Sequence, residues 1–445
     1  MEIVDAFDFI LLPIYLGIFY ILANRNLRKN SKNPLYKLYY RKGLNYKFIG
    51  SVGFAFIYVF YYKGGDTISF YHAVHPLFTL FYTDPIAFLT FILSYHDPYP
   101  WQCLPYAWHH SIAYLIRGSA TLTTIRIGAL VNVLCFNSYF ALCLAFAYIS
   151  YQFQWRMFLL LASIYPSQHK RLSVAFLMIP SVIFWGSGLS KDCIMMGCIM
   201  LFFYCFYNVV IYNRRYFRYF VMLFFAGFLM SLIRGFILFT LFPCLMLMAG
   251  TYYRNAIRSS AIRFLIGPVV VVGALGASYL FVHGLGSEVQ TYSVESLQQK
   301  AEGFHSWHTS LAEKGGSGYS IEGDVKYTAG GVLKQAPKAI AIALFGPFVW
   351  QIRSPIMALS GIESLLFLYF TLRMLFNKRI YALGGVLVQD HIINFCVPFS
   401  IILAVAIGLT SFNYGALVRY KIPILPFFAT ALILINYRLN NPDAK

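Results

Sequence analysis

Apolar residues in this chain gather into runs of about 15–20, the length a helix needs to cross a bilayer, and short basic loops part them. The runs are Ala6 to Ala23, Phe48 to Tyr62, Ile127 to Tyr151, Ser173 to Trp185, Cys193 to Tyr212, Tyr219 to Ile233, Gly235 to Gly250, Phe264 to Val282, Ile356 to Phe376, Ile392 to Thr410 and Ile422 to Tyr437. In lipid a segment must satisfy its own backbone polar groups, which leaves helices as the spanning element. The pattern predicts an all-α polytopic membrane protein forming one integral domain over residues 1–445. It gives about eleven transmembrane helices, one or two interfacial or re-entrant helices and one long outer loop.

Charge sets the expected orientation. The first run is followed by Arg25, Arg28, Lys29, Lys32, Lys37, Arg41, Lys42 and Lys47 with no acid among them, so this loop is read as cytoplasmic and the N-terminus as outside. No basic n-region or small-residue cleavage site precedes the first run, which is read as a retained span. Further basic loops follow at Arg156 with Lys170 and Arg171, at Arg214, Arg215 and Arg218, and at Arg254, Arg258 and Arg263. The last lie at Lys378 with Arg379 and in the tail from Arg438. Residues 63–122 then form an outer loop with interfacial helices, because Asp84-Pro85, Tyr95-His96-Asp97-Pro98 and Trp108-His109-His110 interrupt their apolar pieces. An ordinary helical hairpin is the alternative there. Residues 283–335 form a long periplasmic loop that carries Glu288, Glu295, Glu302, Glu313, Glu322 and Asp324. Ala336 to Trp350, bounded by Pro337, Pro347 and Pro355, reads as an interfacial or re-entrant helix.

Composition agrees with the pattern. The chain is 59% hydrophobic and 11% charged, against about 25% charged in soluble domains. Its net charge of +19 sits in the short loops, which fits cytoplasmic anchoring and gives no sign of nucleic-acid binding. The eight cysteines mostly fall inside apolar runs, where they act as small hydrophobes, with no CxxC or Cys/His spacing for a disulfide framework or a zinc site. Walker A, GxSxG and HExxH patterns are absent. His109-His110 and His305 with His308 read more simply as interfacial polar residues than as metal ligands. No repeat of fixed period stands out to suggest an inverted-repeat transporter.

The chemistry-bearing residues converge on the outer side of this topology. Asp66 follows Gly64-Gly65 at the mouth of the second run. An acid there is either a solvated loop residue or a working group. Lys191 and Asp192, Arg234, Arg353, and Arg419 with Tyr420 face the same side. Positive charge outside departs from the general bias, although snorkelling to a headgroup accounts for each residue singly. Asp192 has a plain role available as a helix cap. Taken together, arginine and lysine with a carboxylate suit an anionic, lipid-linked substrate. The carboxylate is a candidate general base, or a ligand for a divalent metal ion.

At these residues a family resemblance is visible. Arg419-Tyr420-x-x-Pro423-x-x-Pro426-Phe427 is similar to the last outer loop and span of lipid-linked sugar transferases and polysaccharide polymerases. Gly65-Asp66 after an early span resembles the acidic first outer loop of GT-C-type glycosyltransferases. Phe184-Trp185-Gly186-Ser187-Gly188 with Lys191-Asp192, and Pro347-Phe348 with Glu363 in a late span, resemble bacterial membrane proteins grouped with O-antigen polymerases. The resemblance implies a multi-pass protein of the bacterial inner membrane that transfers sugar from a polyprenyl-phosphate-linked donor at the periplasmic face. Asp66 would be catalytic, and Lys191, Asp192, Arg234, Arg419, Tyr420, Trp101 and His109 would bind substrate. Two other classes stay open. A transporter or flippase would place polar residues deep within spans, as Glu363 is. A scaffold of an export machine would dock envelope-assembly proteins through residues 283–335.

Overall fold

The computed structural model describes residues 4–93, 118–254, 273, 276, 329–352, 355–411 and 413–441. Among them the regular structure is helical, and six helices are long and apolar enough to cross a membrane, or seven if one bent pair counts as a single span. The chain is therefore a helical, multi-pass membrane protein. In chain order the helices are α1 Ala6–Lys29, α2 Tyr36–Tyr61, α3 Asp66–Thr83, α4 Pro85–Leu93, α5 Ser119–Val133 and α6 Tyr139–Ile164. Next come α7 His169–Leu177, α8 Pro180–Trp185, α9 Lys191–Ile211 and α10 Phe217–Tyr253. The last are α11 Ala329–Phe345, α12 Pro355–Leu375, α13 Leu383–Gln389, α14 His391–Thr410, α15 Tyr414–Tyr420 and α16 Leu425–Asn440. The α15–α16 pair is bent by 64°.

Two expected spans are broken. The run Ile127 to Tyr151 contains the end of α5, a turn at residues 134–138 and the start of α6. Neither glycine nor proline marks this turn. Phe136 and Asn137 take left-handed φ of 49° and 58°. Asn137 is held by a local bond, its Oδ1 accepting from the Asn132 amide at 2.7 Å, and by a tertiary one, its carbonyl accepting from the Tyr71 hydroxyl at 2.6 Å. The run Ser173 to Trp185 is likewise split into α7 and α8, because Pro180 offers no N–H and disfavours helix before it.

Two further boundaries move. Pro337 lies inside α11 rather than bounding it, and the helix begins at Ala329, within the expected loop 283–335. The runs Tyr219 to Ile233 and Gly235 to Gly250 are the two halves of α10, which breaks at Arg234 with φ −151° and ψ 73°. Tyr219 packs on Tyr204, and the Tyr253 hydroxyl donates to the Val210 carbonyl, both in the later part of α9. Arg234 instead meets Asp192 at the start of α9. The backbone leaves helix at Arg234, and each half of α10 reaches about 25–28 Å at the usual helical rise. The run Phe264 to Val282 and most of loop 283–335 lie outside the described residues.

The chain divides into two compact units, and the divisions fall inside helices. The first holds residues 1–160, 182–201 and 225–234. Its interior is largely aromatic: Trp155 meets Tyr36 and Tyr40 edge-on at 5.0 Å, and the Tyr151 hydroxyl donates to the Tyr40 carbonyl at 2.6 Å. Asp8, in the first turn of α1, accepts the Ser138 hydroxyl at 2.5 Å, which ties α1 to the turn before α6. Cys135 in that turn is buried, and burial pushes its thiol up to about 12. All seven described cysteines are buried, and none is in a disulfide.

The second unit holds residues 161–181, 202–224 and 235–445. Phe203, Phe395, Phe399 and Phe427 form its aromatic core, with ring centroids 4.8–6.0 Å apart. Asp390 caps α14 by accepting the Ile392 and Ile393 amides, and it also takes the Tyr165 hydroxyl at 2.6 Å and the Arg438 guanidinium at 2.9 Å. Arg438 therefore serves a buried carboxylate as well as the expected cytoplasmic tail. Helices α11 and α14 touch backbone to backbone, since a Cβ on Gly408 would strike the Ala339 carbonyl. Small residues allow such approach where lipid supplies no hydrophobic drive between helices. Gly408→Leu is expected to cost about 2 kcal/mol through overpacking. Thermal unfolding in detergent reads this as an earlier transition, and an unchanged transition would show that the contact carries no stability.

Candidate functional site

Asp66 opens α3. The residue before it, Gly65, has φ +98°, and a Cβ there would fall 2.8 Å from the Tyr58 ring, so only glycine fits. The turn leaves Asp66 exposed in the first helical turn, where the helix dipole favours an anion. The helix is anchored below it: Thr67 shares a hydrogen bond with the Tyr139 hydroxyl at 3.1 Å, and Tyr71 reaches the Asn137 carbonyl. α3 is not among the candidate spans. Burial holds the half-buried His72 and His75 of this helix below the ordinary imidazole range, so both rings are neutral at neutral pH.

Phe70 lies one turn beyond Asp66. The Lys191 ammonium sits 5.5 Å from the centroid of its ring and donates to the Thr121 hydroxyl of α5 at 2.7 Å. Beside it, Asp192 is buried and Arg234 half-buried, and they form an ion pair at 2.7 Å. Four helices thus meet here: α9 brings Lys191 and Asp192, the break in α10 brings Arg234, α5 brings Thr121, and α3 brings Phe70 below Asp66. The break matters for Arg234. Its non-helical backbone lets the side chain turn toward the start of α9.

The loop that leads into α9 is fixed by its small residues. Gly188 has φ +82°, and a Cβ on it would lie 2.5 Å from the Phe54 ring of α2. The Lys47 ammonium donates to the Gly186 carbonyl at 2.5 Å. Ser190 caps α9 by accepting the Cys193 amide at 3.1 Å. The capping role open to Asp192 in the sequence therefore falls to Ser190, whose hydroxyl is nearer the cap position. Asp192 is left to pair with Arg234.

The structure brings Lys191, Asp192 and Arg234 together with the helix that Asp66 begins. Arg419 and Tyr420 belong to the second unit, as the half-buried last residues of α15, which Asn413 caps through the Gly415 and Ala416 amides. Trp101, His109 and Arg353 lie outside the described residues. Among the described residues, no group of three His, Cys, Asp or Glu side chains could hold a metal ion.

Three charged residues were placed wrongly or passed over by sequence reasoning. Lys47 counted as part of the basic cytoplasmic block, yet it is 2% exposed inside α2. The signal was its position one residue before an apolar run, with Gly50 following. Lys421, next to Arg419 and Tyr420 of the expected outer face, is fully enclosed at the α15–α16 bend. Arg126 was not singled out. Its Nε donates to the Phe91 carbonyl at 2.8 Å.

Comparison with known protein families, with curated proteins and with solved structures gave no match for this chain.

Removing one partner of a buried ion pair leaves the other charge without compensation, at a cost of about 3 kcal/mol. Asp192→Asn is expected to lower stability by that order, and the double change Asp192→Asn with Arg234→Gln to recover part of it. Unfolding of the three proteins in one detergent checks this. Equal losses that simply add would mean that the pair is not coupled.

Proposed function

We propose that this chain is a membrane-embedded glycosyltransferase or polysaccharide polymerase that uses a polyprenyl-phosphate-linked sugar donor at the periplasmic face of a bacterial inner membrane. The observation that carries this reading is the meeting of Lys191 and Arg234 with the helix that begins at Asp66. Two cations drawn from different helices suit the phosphate of such a donor, and the arginine offers a planar fork for it. Asp192 orients that guanidinium. Positions 66 and 70 are neighbours on one helix face, so the carboxylate stands one turn from the ring on which Lys191 rests.

The chemistry follows from these places. Asp66 takes the proton of the acceptor hydroxyl as its oxygen attacks the anomeric carbon. The bond from that carbon to the donor phosphate breaks, and the charge left on the phosphate is met by Lys191 and Arg234. Trp101, His109, Arg419 and Tyr420 remain substrate-binding candidates on this reading.

One observation favours a second reading. Lys47, Glu363 and Lys421 lie deep in the protein, as a transporter or flippase of lipid-linked or small solutes would have them. Solute uptake into proteoliposomes tests that class. The scaffold reading rests on residues 283–335, most of which lie outside the described residues.

Glycan profiles of cells lacking the chain, and of cells carrying Asp66→Asn, test the leading reading. Loss or shortening of a surface polysaccharide is expected in both, with the variant still in the membrane. In membranes supplied with a lipid-linked donor, Asp66→Asn is expected to slow transfer by about a hundredfold or more, the usual worth of a general base. Normal profiles in both strains would overturn the proposal.

A further inference from the structure

The second unit encloses an acid and a base that the transfer chemistry does not use. Glu363 lies in α12, one of the candidate spans, and is 5% exposed. Its Oε2 accepts the Ser181 backbone N–H at 2.8 Å, at the start of α8. Its Oε1 is equally enclosed and takes no hydrogen bond. Lys421 is 0% exposed. Its Nζ donates to the Gly346 carbonyl at 2.7 Å and to the Ser364 hydroxyl at 2.8 Å, and that hydroxyl donates in turn to Gly346 at 2.9 Å. Both acceptors are neutral.

The other charged residues described on the neighbouring helices are placed differently. On α11, Lys334 and Lys338 are exposed; on α16, Arg438 is engaged with Asp390; on α15, Arg419 is half-buried. Glu363 and Lys421 are the two titratable groups coupled to each other here. Even so, no carboxylate closes an ion pair within 4.0 Å of the Lys421 ammonium among the described residues.

The donors and acceptors around each group, together with its burial, bear on whether the pair is held charged or neutral. An ammonium has three N–H donors and a neutral amine two. Lys421 has two acceptors. An ionised carboxylate accepts on both oxygens, whereas a protonated one carries a hydrogen on one of them. Glu363 accepts the Ser181 N–H on Oε2, the Ser181 hydroxyl also acts on the carboxyl, and Oε1 is left without a partner. Deep in an apolar interior, two charges left to neutral partners are costly, and moving one proton from nitrogen to oxygen removes both.

We propose that Glu363 and Lys421 form a buried proton-binding site, held here as the neutral acid and the neutral amine. Taking up one proton converts the Lys421 amine to ammonium, and losing one converts the Glu363 carboxyl to carboxylate. Either step leaves a single net charge inside the membrane protein, so a conformational or transfer step elsewhere can be linked to proton movement at this site.

Infrared spectroscopy of the purified, membrane-reconstituted protein at neutral pH tests this. The wild type is expected to show a protonated-carboxyl C=O band in apolar surroundings that is missing from Glu363→Gln. The amide oxygen of that variant can still accept the Ser181 N–H. Lys421→Met is expected to keep the band, since a neutral acid needs no ammonium. A band absent from the wild type that appears only in Lys421→Met would reveal an ion pair and overturn the proposal. A band absent from both would also overturn it. Should Glu363→Gln fail to accumulate, isotope labelling of glutamate carboxyls in the wild type assigns or removes the band without any substitution.

Discussion

A charge can enter an apolar interior only where something of opposite sense is already fixed there. In this protein the open ends of helices supply it. Lys47 donates to Gly186 just past the end of α8, Lys421 to Gly346 just past the end of α11, and Arg126 to Phe91 in the last turn of α4. The acids go the other way: Glu363 accepts from the start of α8, and Asp390 from the start of α14. Helix termini leave carbonyls at one end and N–H groups at the other without partners, and the helix dipole has the same sense. Each break therefore needs its charge, and each charge needs its break. A straight helix in the same place would offer neither.

The same logic shapes the outer cluster. Arg234 reaches Asp192 because the backbone of α10 departs from helix at that residue. The loop before α9 keeps its path because two glycines let it lie flat on α2. Rigid aromatic packing around Trp155 and Tyr40 holds the frame within which these polar contacts are made. Function at such a site is then a matter of small displacements among groups already in place, which is how pre-organised sites limit the cost of reaching their transition state.

How much of this the sequence disclosed follows from what each feature depends on. The long spans α1, α9, α12 and α14 are set by local apolar composition, and hydropathy reveals them. The prominence of Lys191, Asp192 and Arg234 was legible because charge is rare in apolar surroundings. The turn at residues 134–138 was not legible, for its partners Tyr71 and Asp8 lie far off in the chain. Lys47 was misread for a related reason. A lysine beside a basic block and an apolar run fits either side, and only the Gly186 carbonyl, 139 residues away, decides. Ser190 rather than Asp192 caps α9, a choice that turns on a register of two residues and on where Arg234 comes to lie.

The Lys47–Gly186 contact bears on how such a chain can change over time. A lysine lost from position 47 strands a carbonyl, and a side chain gained at position 186 would meet the Val182 carbonyl and press on the lysine. Neither step is neutral alone, so the two positions are bound to a shared substitution history. Descendants of this chain are expected to change them together or to leave both as they are.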